Sequence, residues 1–152
     1  MKGLENPLKS LAEFQENKES LKRKGPGIRQ LCGCIGTQKA HAAFGLGKEF
    51  SHRLIVAEND LKAKEFYEDY RFYEPDVLLY PARDLIFFQA DVHGNLLTKE
   101  RMRVFQALLE EKEVTVITSI AGCMDYLLPL DEIKKQVLYL KNDSVLDVEK
   151  LK

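Results

Sequence analysis

Short apolar runs alternate along this chain with segments whose apolar residues recur at helical spacing. The apolar runs lie at residues 53–57, 77–80 and 114–118, with a weaker strand candidate at 28–32. The helix-like segments lie at 38–46, 59–73 and 98–111. Strands that are apolar on both faces and alternate with helices are typical of a parallel sheet covered by helices. The pattern therefore predicts an α/β domain with a parallel sheet and right-handed crossovers.

Residues that accept hydrogen bonds from free backbone N–H groups mark the predicted helix starts. Asn59 or Asp60 is expected to begin a helix that runs to about Tyr73, and Thr98 one that runs to about Glu111. Residues 82–97 lie between the strand at 77–80 and the second of these helices. Their apolar residues follow neither the helical nor the strand spacing, so this segment is predicted to be irregular. The inner faces of the two helices are expected to hold Leu61, Ala63, Phe66, Tyr67 and Tyr70, and Met102, Phe105, Leu108 and Leu109.

The two ends of the chain differ in character from its middle. Asn6 and Pro7 form a typical helix start, and the helical pattern stops at the Gly-Pro-Gly break of residues 25–27. We therefore interpret residues 1–27 as an N-terminal helical segment and residues 28–130 as the α/β domain. Residues 131–152 hold another strand candidate at 136–140 and the beginning of a helix. They are interpreted as the start of a following domain that the chain contains only in part.

Composition narrows the class of protein. The chain has 152 residues, 45% of them apolar, which suits a single domain with a substantial core. Its net charge of −1 gives no overall basic field that would attract nucleic acid. No apolar run approaches the roughly 20 residues that span a bilayer, and the N-terminus lacks the apolar core of a secretion signal. A cytoplasmic protein without membrane contact is the expectation.

The stretch GCIGTQKA, residues 33–40, has the spacing of a phosphate-binding loop but departs from it at two critical positions. The active pattern is G-x-x-x-x-G-K-[ST], in which the second glycine admits phosphate to the backbone and the hydroxyl residue ligates magnesium. Here Gly33 and Lys39 are in place, whereas Gln38 replaces the second glycine and Ala40 replaces the hydroxyl residue. Thr37 stands one position too early to substitute for it.

Acidic residues that would complete a nucleotide site are also missing from the pattern. An active site of this class needs an aspartate directly after an apolar strand, but the three strong strand candidates are followed by Glu58, Pro81 and Ser119. Glu58 is better explained as a solvent-exposed or helix-capping residue. We therefore predict a degenerate loop with no catalytic residues, no metal and no bound cofactor. The residues of this degenerate loop that match the spacing or replace a residue in it are Gly33, Gly36, Thr37, Gln38, Lys39 and Ala40.

Other polar groups admit a functional and a structural interpretation. Cys32, Cys34 and His41 could suggest zinc, but no second ligand pair exists, and small buried residues at a strand end are the preferred interpretation. Asp91 and His93 could be an acid/base pair, but a turn is preferred.

Two further groups could make contacts with partners. The basic residues of one helix, Lys99, Arg101 and Arg103, could touch a nucleic-acid backbone, and surface ion pairs are preferred. Phe87 and Phe88 are either a patch for a partner domain or a local core plug, and the two interpretations stay open.

The order of these segments resembles the N-terminal region of the bacterial transcription-repair coupling factors (Mfd), which is itself similar to domain 1a of UvrB. The resemblance covers residues 28–130. It is carried by GCIGTQKA against the family's G-L-S-G-S-A-[KR]-A loop, by VLLYPARDLIFF, and by ERMRVFQALLEEKEVTVITSIAGCMDYLLP. The tail QVLYLKNDSVLDVEKL resembles the opening of the family's next domain.

That resemblance implies a RecA-like, P-loop NTPase-like fold without its own ATPase activity. Whole family members are ATP- and magnesium-dependent translocases on double-stranded DNA, which displace stalled RNA polymerase and recruit UvrA and UvrB in nucleotide excision repair. The family's motor and polymerase-binding domains lie downstream, and its main UvrA surface lies in the following domain. This chain would then be a non-catalytic scaffold that contacts other domains of its own polypeptide.

Two rival hypotheses belong to other classes. The first is a small P-loop kinase or NTPase with an atypical loop, which would show magnesium-dependent turnover that depends on Lys39. The second is an independent nucleic-acid-binding domain, which the near-neutral charge disfavours and which would require tight, salt-dependent DNA binding.

Overall fold

The computed structural model of the chain describes residues 6–22, 27–83 and 91–137. The helices are α1 (Asn6–Lys9), α2 (Ala12–Lys22), α3 (Gln38–Gly47), α4 (Asp60–Tyr70), α5 (Asp91–Leu109), α6 (Ile120–Cys123) and α7 (Leu130–Gln136). The strands are β1 (His52–Ala57), β2 (Leu78–Tyr80) and β3 (Val114–Ser119). In the described part of the chain, no helix is long and apolar enough to cross a membrane.

The three strands form one parallel sheet in the order β1-β3-β2. Leu54 of β1 lies opposite Val116 of β3, which lies opposite Leu78 of β2, so the three side chains stand in a row on one face. Ile55, Ile117 and Leu79 form the corresponding row on the other face. β3, the last of the three described strands along the chain, thus lies between the first two.

Helices cover the two faces of the sheet in different ways. Phe44 of α3 and Ala63 and Tyr70 of α4 form one buried cluster with Ile117. On the opposite face, Val104 of α5 is buried with Val116. Because successive strand residues point to opposite faces, these two clusters are separate cores on either side of β3. The described structure is therefore an α/β domain in which helices flank a three-stranded parallel sheet, as the alternating pattern predicted.

The N-terminal helices pack closely on α3 at Gly45. A Cβ added to Gly45 would lie 2.6 Å from Cδ1 of Leu8 and 2.8 Å from Cζ of Phe14, well inside van der Waals contact. Lys18 of α2 adds an ion pair with Glu49, at 2.9 Å. Residues 6–22 therefore form a helical pair that is docked on the domain, within the range of the predicted N-terminal segment.

Several local predictions are confirmed. Strands form over most of the runs at 53–57, 77–80 and 114–118, and a helix forms over 38–47. Asn59 caps α4, since its side chain accepts a hydrogen bond of 2.9 Å from the backbone N–H of Lys62.

Other local predictions are wrong. Residues 28–32, predicted as a strand, form none, and Ile28 is 96% exposed. The irregular segment predicted up to residue 97 is too long, because α5 begins at Asp91, and Thr98 therefore lies inside a helix instead of capping one. Leu61 and Met102, expected on inner faces, are both exposed.

The first residue of the strand predicted at 136–140 is wrong, because Gln136 is the last residue of α7. Residues 138–140 lie outside the described residues.

Candidate functional site

The loop at residues 33–37 bends at two glycines. Gly33 has φ +81° and Gly36 has φ +50°, both in the left-handed region that glycine adopts without strain. A Cβ added at either position would meet nothing within 4 Å, so the constraint comes from the backbone conformation and not from crowding. These two residues therefore shape the turn that leads into α3.

The side chain of Gln38 closes this loop on itself. The backbone N–H of Ile35 donates a hydrogen bond of 3.0 Å to Oε1 of Gln38, and the N–H of Gln38 donates one of 3.1 Å back to the carbonyl of Ile35. In an active phosphate loop, such backbone N–H groups point at the phosphate. Here the donor at Ile35 already has an acceptor within the protein, and glycine at position 38 would remove that acceptor.

The position that would ligate magnesium faces the protein core. Ala40 is 1% exposed and belongs to the cluster that includes Phe44, Ala63 and Ile117. A hydroxyl at this position would be buried among apolar groups, where an unpaired one costs on the order of 1–3 kcal/mol. Ala40 therefore stabilises the domain at the position where an active loop needs a metal ligand.

Lys39 and Thr37 both point into solvent. Thr37 precedes the first residue of α3, but its side chain makes no capping hydrogen bond. The first turn of α3 is instead held by His41, whose ring stacks on Tyr73 with centroids 4.9 Å apart and planes 3° from parallel. Since residues 27–35 are irregular, no strand leads into the loop, and the prediction that it follows the end of a strand is wrong.

Polar groups at the carboxyl ends of the strands bond to one another. Ser119, the last residue of β3, donates to Oδ1 of Asp60 at 2.5 Å and accepts from the N–H of Gly122 at 3.1 Å. Thr118 donates to the carbonyl of Tyr80 at 2.7 Å. Asp60, and not Glu58, is thus the carboxylate that the structure brings to the end of β3. Its bond ties the start of α4 to the end of β3.

Arg101 is the largest departure from the predicted side-chain placement. It was expected on the solvent face of its helix, but it is 6% exposed. Its Nη1 donates to the carbonyl of Pro81 at 2.8 Å and to Oδ2 of Asp125 at 2.6 Å, and its guanidinium lies 4.1 Å from the ring centroid of Tyr80. A signal for this was available, since Arg101 stands three and four residues before Val104 and Phe105, on the apolar face of α5.

The other polar and aromatic residues that the sequence suggested as functional have different outcomes. Lys99 and Arg103 are exposed, as predicted for surface residues. The backbone of residues 91–95 is helical, so the turn predicted for Asp91 and His93 is wrong, and their side chains lie outside the described residues. Phe87 and Phe88 lie outside the described residues as well.

The cysteines are not the small buried residues that the sequence predicted. Cys32 is exposed and Cys34 is partly buried. Within the described residues, no group of three or more histidine, cysteine or acidic side chains is placed to hold a metal ion.

Two tyrosines next to the sheet have altered acidity. Burial raises the pKa of Tyr70 above the usual range of a phenol, and the negative charge of Glu74 raises it further. Burial also raises the pKa of Tyr80, although the charge of Arg101 opposes this. Both groups are structural, because they belong to the two cores.

Comparison of the chain with protein-family models, with curated proteins and with solved structures finds no match.

Proposed function

We propose that this chain is a non-catalytic scaffold domain from the N-terminal region of a transcription-repair coupling factor. The resemblance of residues 28–130 to that family is the origin of the proposal, and the finer description, a RecA-like domain with a degenerate P-loop, belongs to it. In this proposal the chain itself neither binds nor hydrolyses ATP. Other domains of the same polypeptide carry the ATP-driven DNA translocase and the contacts with stalled RNA polymerase, double-stranded DNA and UvrA.

The observation that carries the non-catalytic part is the hydrogen bond from the N–H of Ile35 to Oε1 of Gln38. It gives the loop an internal acceptor where an active loop accepts a phosphate oxygen. The burial of Ala40 supports the same conclusion, because no hydroxyl is available to a magnesium ion at that position.

An open apolar face supports the scaffold part of the proposal. On β1, Leu54 and Val56 are 65% and 46% exposed, although neighbouring residues of the same strand are partly buried. Apolar sheet residues of this kind are normally covered by a further layer of structure. In a coupling factor, another domain of the same polypeptide would provide that layer.

Calorimetry with magnesium and ATP tests the non-catalytic part. We expect no binding by the natural chain at nucleotide concentrations up to about 1 mM, which corresponds to less than about 4 kcal/mol of binding free energy. Gln38→Gly is the informative variant because it removes the internal acceptor without placing a hydroxyl in the core. Lys39→Ala is the control for any non-specific attraction between the nucleotide and the exposed lysine.

Micromolar binding by the natural chain that disappears in Lys39→Ala would contradict the proposal. It would instead favour the small P-loop nucleotide-binding enzyme with an atypical loop.

The coupling role needs a test in cells. The gene that encodes this segment would be disrupted in the organism that carries it, and removal of ultraviolet lesions would be measured separately on the two strands of a transcribed gene. We expect the transcribed strand to lose its faster repair while the other strand is unaffected. Unchanged repair of the transcribed strand would exclude a coupling factor, whatever the calorimetry shows.

A further inference from the structure

Cys32 and Cys34 line the same cavity. Its volume is about 330 Å³, and its wall is completed by His41 and by apolar residues of the N-terminal helices such as Leu8 and Phe14. Both cysteines are free thiols. Because both cysteines line one small cavity, a single reagent molecule there can react with one of them and then with the other. A cysteine that stands alone on the surface does not allow this second step.

The backbone between the two cysteines is bent. Two residues that are separated by one other have Cα atoms at most about 7 Å apart in a fully extended chain. The backbone bends at Gly33, whose φ is +81°. A disulfide requires a Cα separation of roughly 4.4–6.8 Å, which a fully extended chain between the two cysteines exceeds and a bent one can satisfy.

Closure of this small ring leaves the regular structure intact. Residues 27–35 belong to no helix or strand, and α3 begins only at Gln38. A bond between Cys32 and Cys34 would therefore alter the loop without breaking the sheet or a helix. The third described cysteine, Cys123, lies in α6 after the end of β3 and does not line this cavity.

From these observations, we propose that Cys32 and Cys34 form a vicinal dithiol site that low-molecular-weight disulfides oxidise to an intrachain disulfide. The thiolate of one cysteine attacks a sulfur of the small disulfide, forms a mixed disulfide and releases one thiolate. The second cysteine thiolate then attacks the protein sulfur of that mixed disulfide and releases the other small thiolate. The protein loses two protons and two electrons, and one small disulfide is reduced to two thiols.

This site goes beyond the proposed scaffold function, because it adds a redox-dependent change at the loop that opens α3. Disulfides that are exposed or strained are more easily reduced than buried structural ones, so the bond is expected to form and break with the ratio of small disulfide to thiol.

The test uses the full chain carrying Cys123→Ser, incubated in buffers with increasing ratios of oxidised to reduced glutathione. After acid quenching, intact mass and peptide mapping identify the product. We expect the mass to fall by that of two hydrogen atoms, with the bond located between Cys32 and Cys34. In Cys32→Ser and Cys34→Ser, each made in the same background, the remaining cysteine should carry glutathione instead.

A comparison between the folded and unfolded chain separates the effect of the structure from that of sequence proximity. In urea the two cysteines keep their sequence separation but lose the bend and the shared cavity. We expect the equilibrium constant for closure to be about tenfold larger in the folded chain.

Equal constants in the folded and unfolded chain would overturn the proposal. So would a product that carries glutathione on both Cys32 and Cys34, or closure in the unmodified chain that involves Cys123.

Discussion

β1 and β3 are adjacent strands of similar apolar composition, yet they are buried to different extents. All six residues of β3 are buried, whereas burial alternates along β1. β3 lies between the other two strands, with α4 on one face and α5 on the other. β1 has a neighbour on one edge only among the described residues, and α5 packs over β2 and β3. An apolar run thus predicts a strand, but its position in the sheet decides how many of its faces are covered.

The expectation that β1 would be covered on both faces is therefore wrong for the described part of the chain. Ile55 and Ala57 pack against the core beneath α3 and α4, while Leu54 and Val56 point to the open side. A helix covers only the strands that it packs against. Because α5 connects β2 to β3, it covers those two strands and leaves the same face of β1 open.

The largest expected difference between the two strands comes from removing one apolar side chain from each. Ile117 of β3 is fully buried, so Ile117→Ala should lower the free energy of unfolding by about 2–5 kcal/mol. Leu54→Ala is the matched change on the open face of β1 and should cost less than about 0.5 kcal/mol. Urea unfolding followed by circular dichroism measures both. Equal losses would show that the open face of β1 is covered in solution.

A smaller effect is expected for the polar link between the two strands. Thr115 of β3 donates to the carboxylate of Glu74 at 2.9 Å, and the same carboxylate binds Arg53 of β1 through two hydrogen bonds of 3.0 Å. Thr115→Val removes the hydroxyl and should cost about 1–2 kcal/mol, because the carboxylate loses one donor near the core. Thr115→Ser keeps the donor and should recover part of that stability. If serine and valine are equally destabilising, the bond contributes nothing measurable.

The raised pKa of Tyr70 predicts a loss of stability at high pH. The folded state holds this phenol in its neutral form, whereas the unfolded chain ionises it near its usual pKa of about 10. The contribution is therefore fully present below pH of about 10 and is lost as the pH rises from there through the folded-state pKa.

Urea unfolding at a series of alkaline pH values checks this, with Tyr70→Phe as the control. The variant should show a shallower decline, and an identical decline would assign the effect to other groups. At neutral pH the variant should be nearly as stable as the natural chain, because the buried Tyr70 hydroxyl makes no hydrogen bond of good geometry.

The smallest change in stability is expected on the open face itself. Replacing both Leu54 and Val56 with serine should alter the free energy of unfolding by less than about 1 kcal/mol, since Leu54 is 65% and Val56 46% exposed. The double variant should nevertheless bind less of an environment-sensitive apolar dye. Unchanged dye binding would show that the apolar surface of the protein lies elsewhere.

Part of the candidate site could be predicted from the sequence, and part could not. The substitutions Gln38 and Ala40 in the phosphate-loop spacing are visible in the sequence, and so is the helix that follows them. The direction of the Gln38 side chain is not, because a glutamine after a turn has several rotamers and only the folded loop selects the one that reaches Ile35. The burial of Arg101 is a similar case, since its partner Asp125 comes from a distant part of the chain.

The sequence by itself determined the alternation of helices and strands and the parallel α/β class. Local spacing of apolar residues and capping groups such as Asn59 act within a few residues of chain and are therefore readable without the fold. Only the tertiary structure decided that β3 lies between β1 and β2, that residues 28–32 stay outside the sheet, and that Cys32 and Cys34 share a cavity. These features depend on contacts between residues far apart in the chain, and no local pattern specifies which of those contacts form.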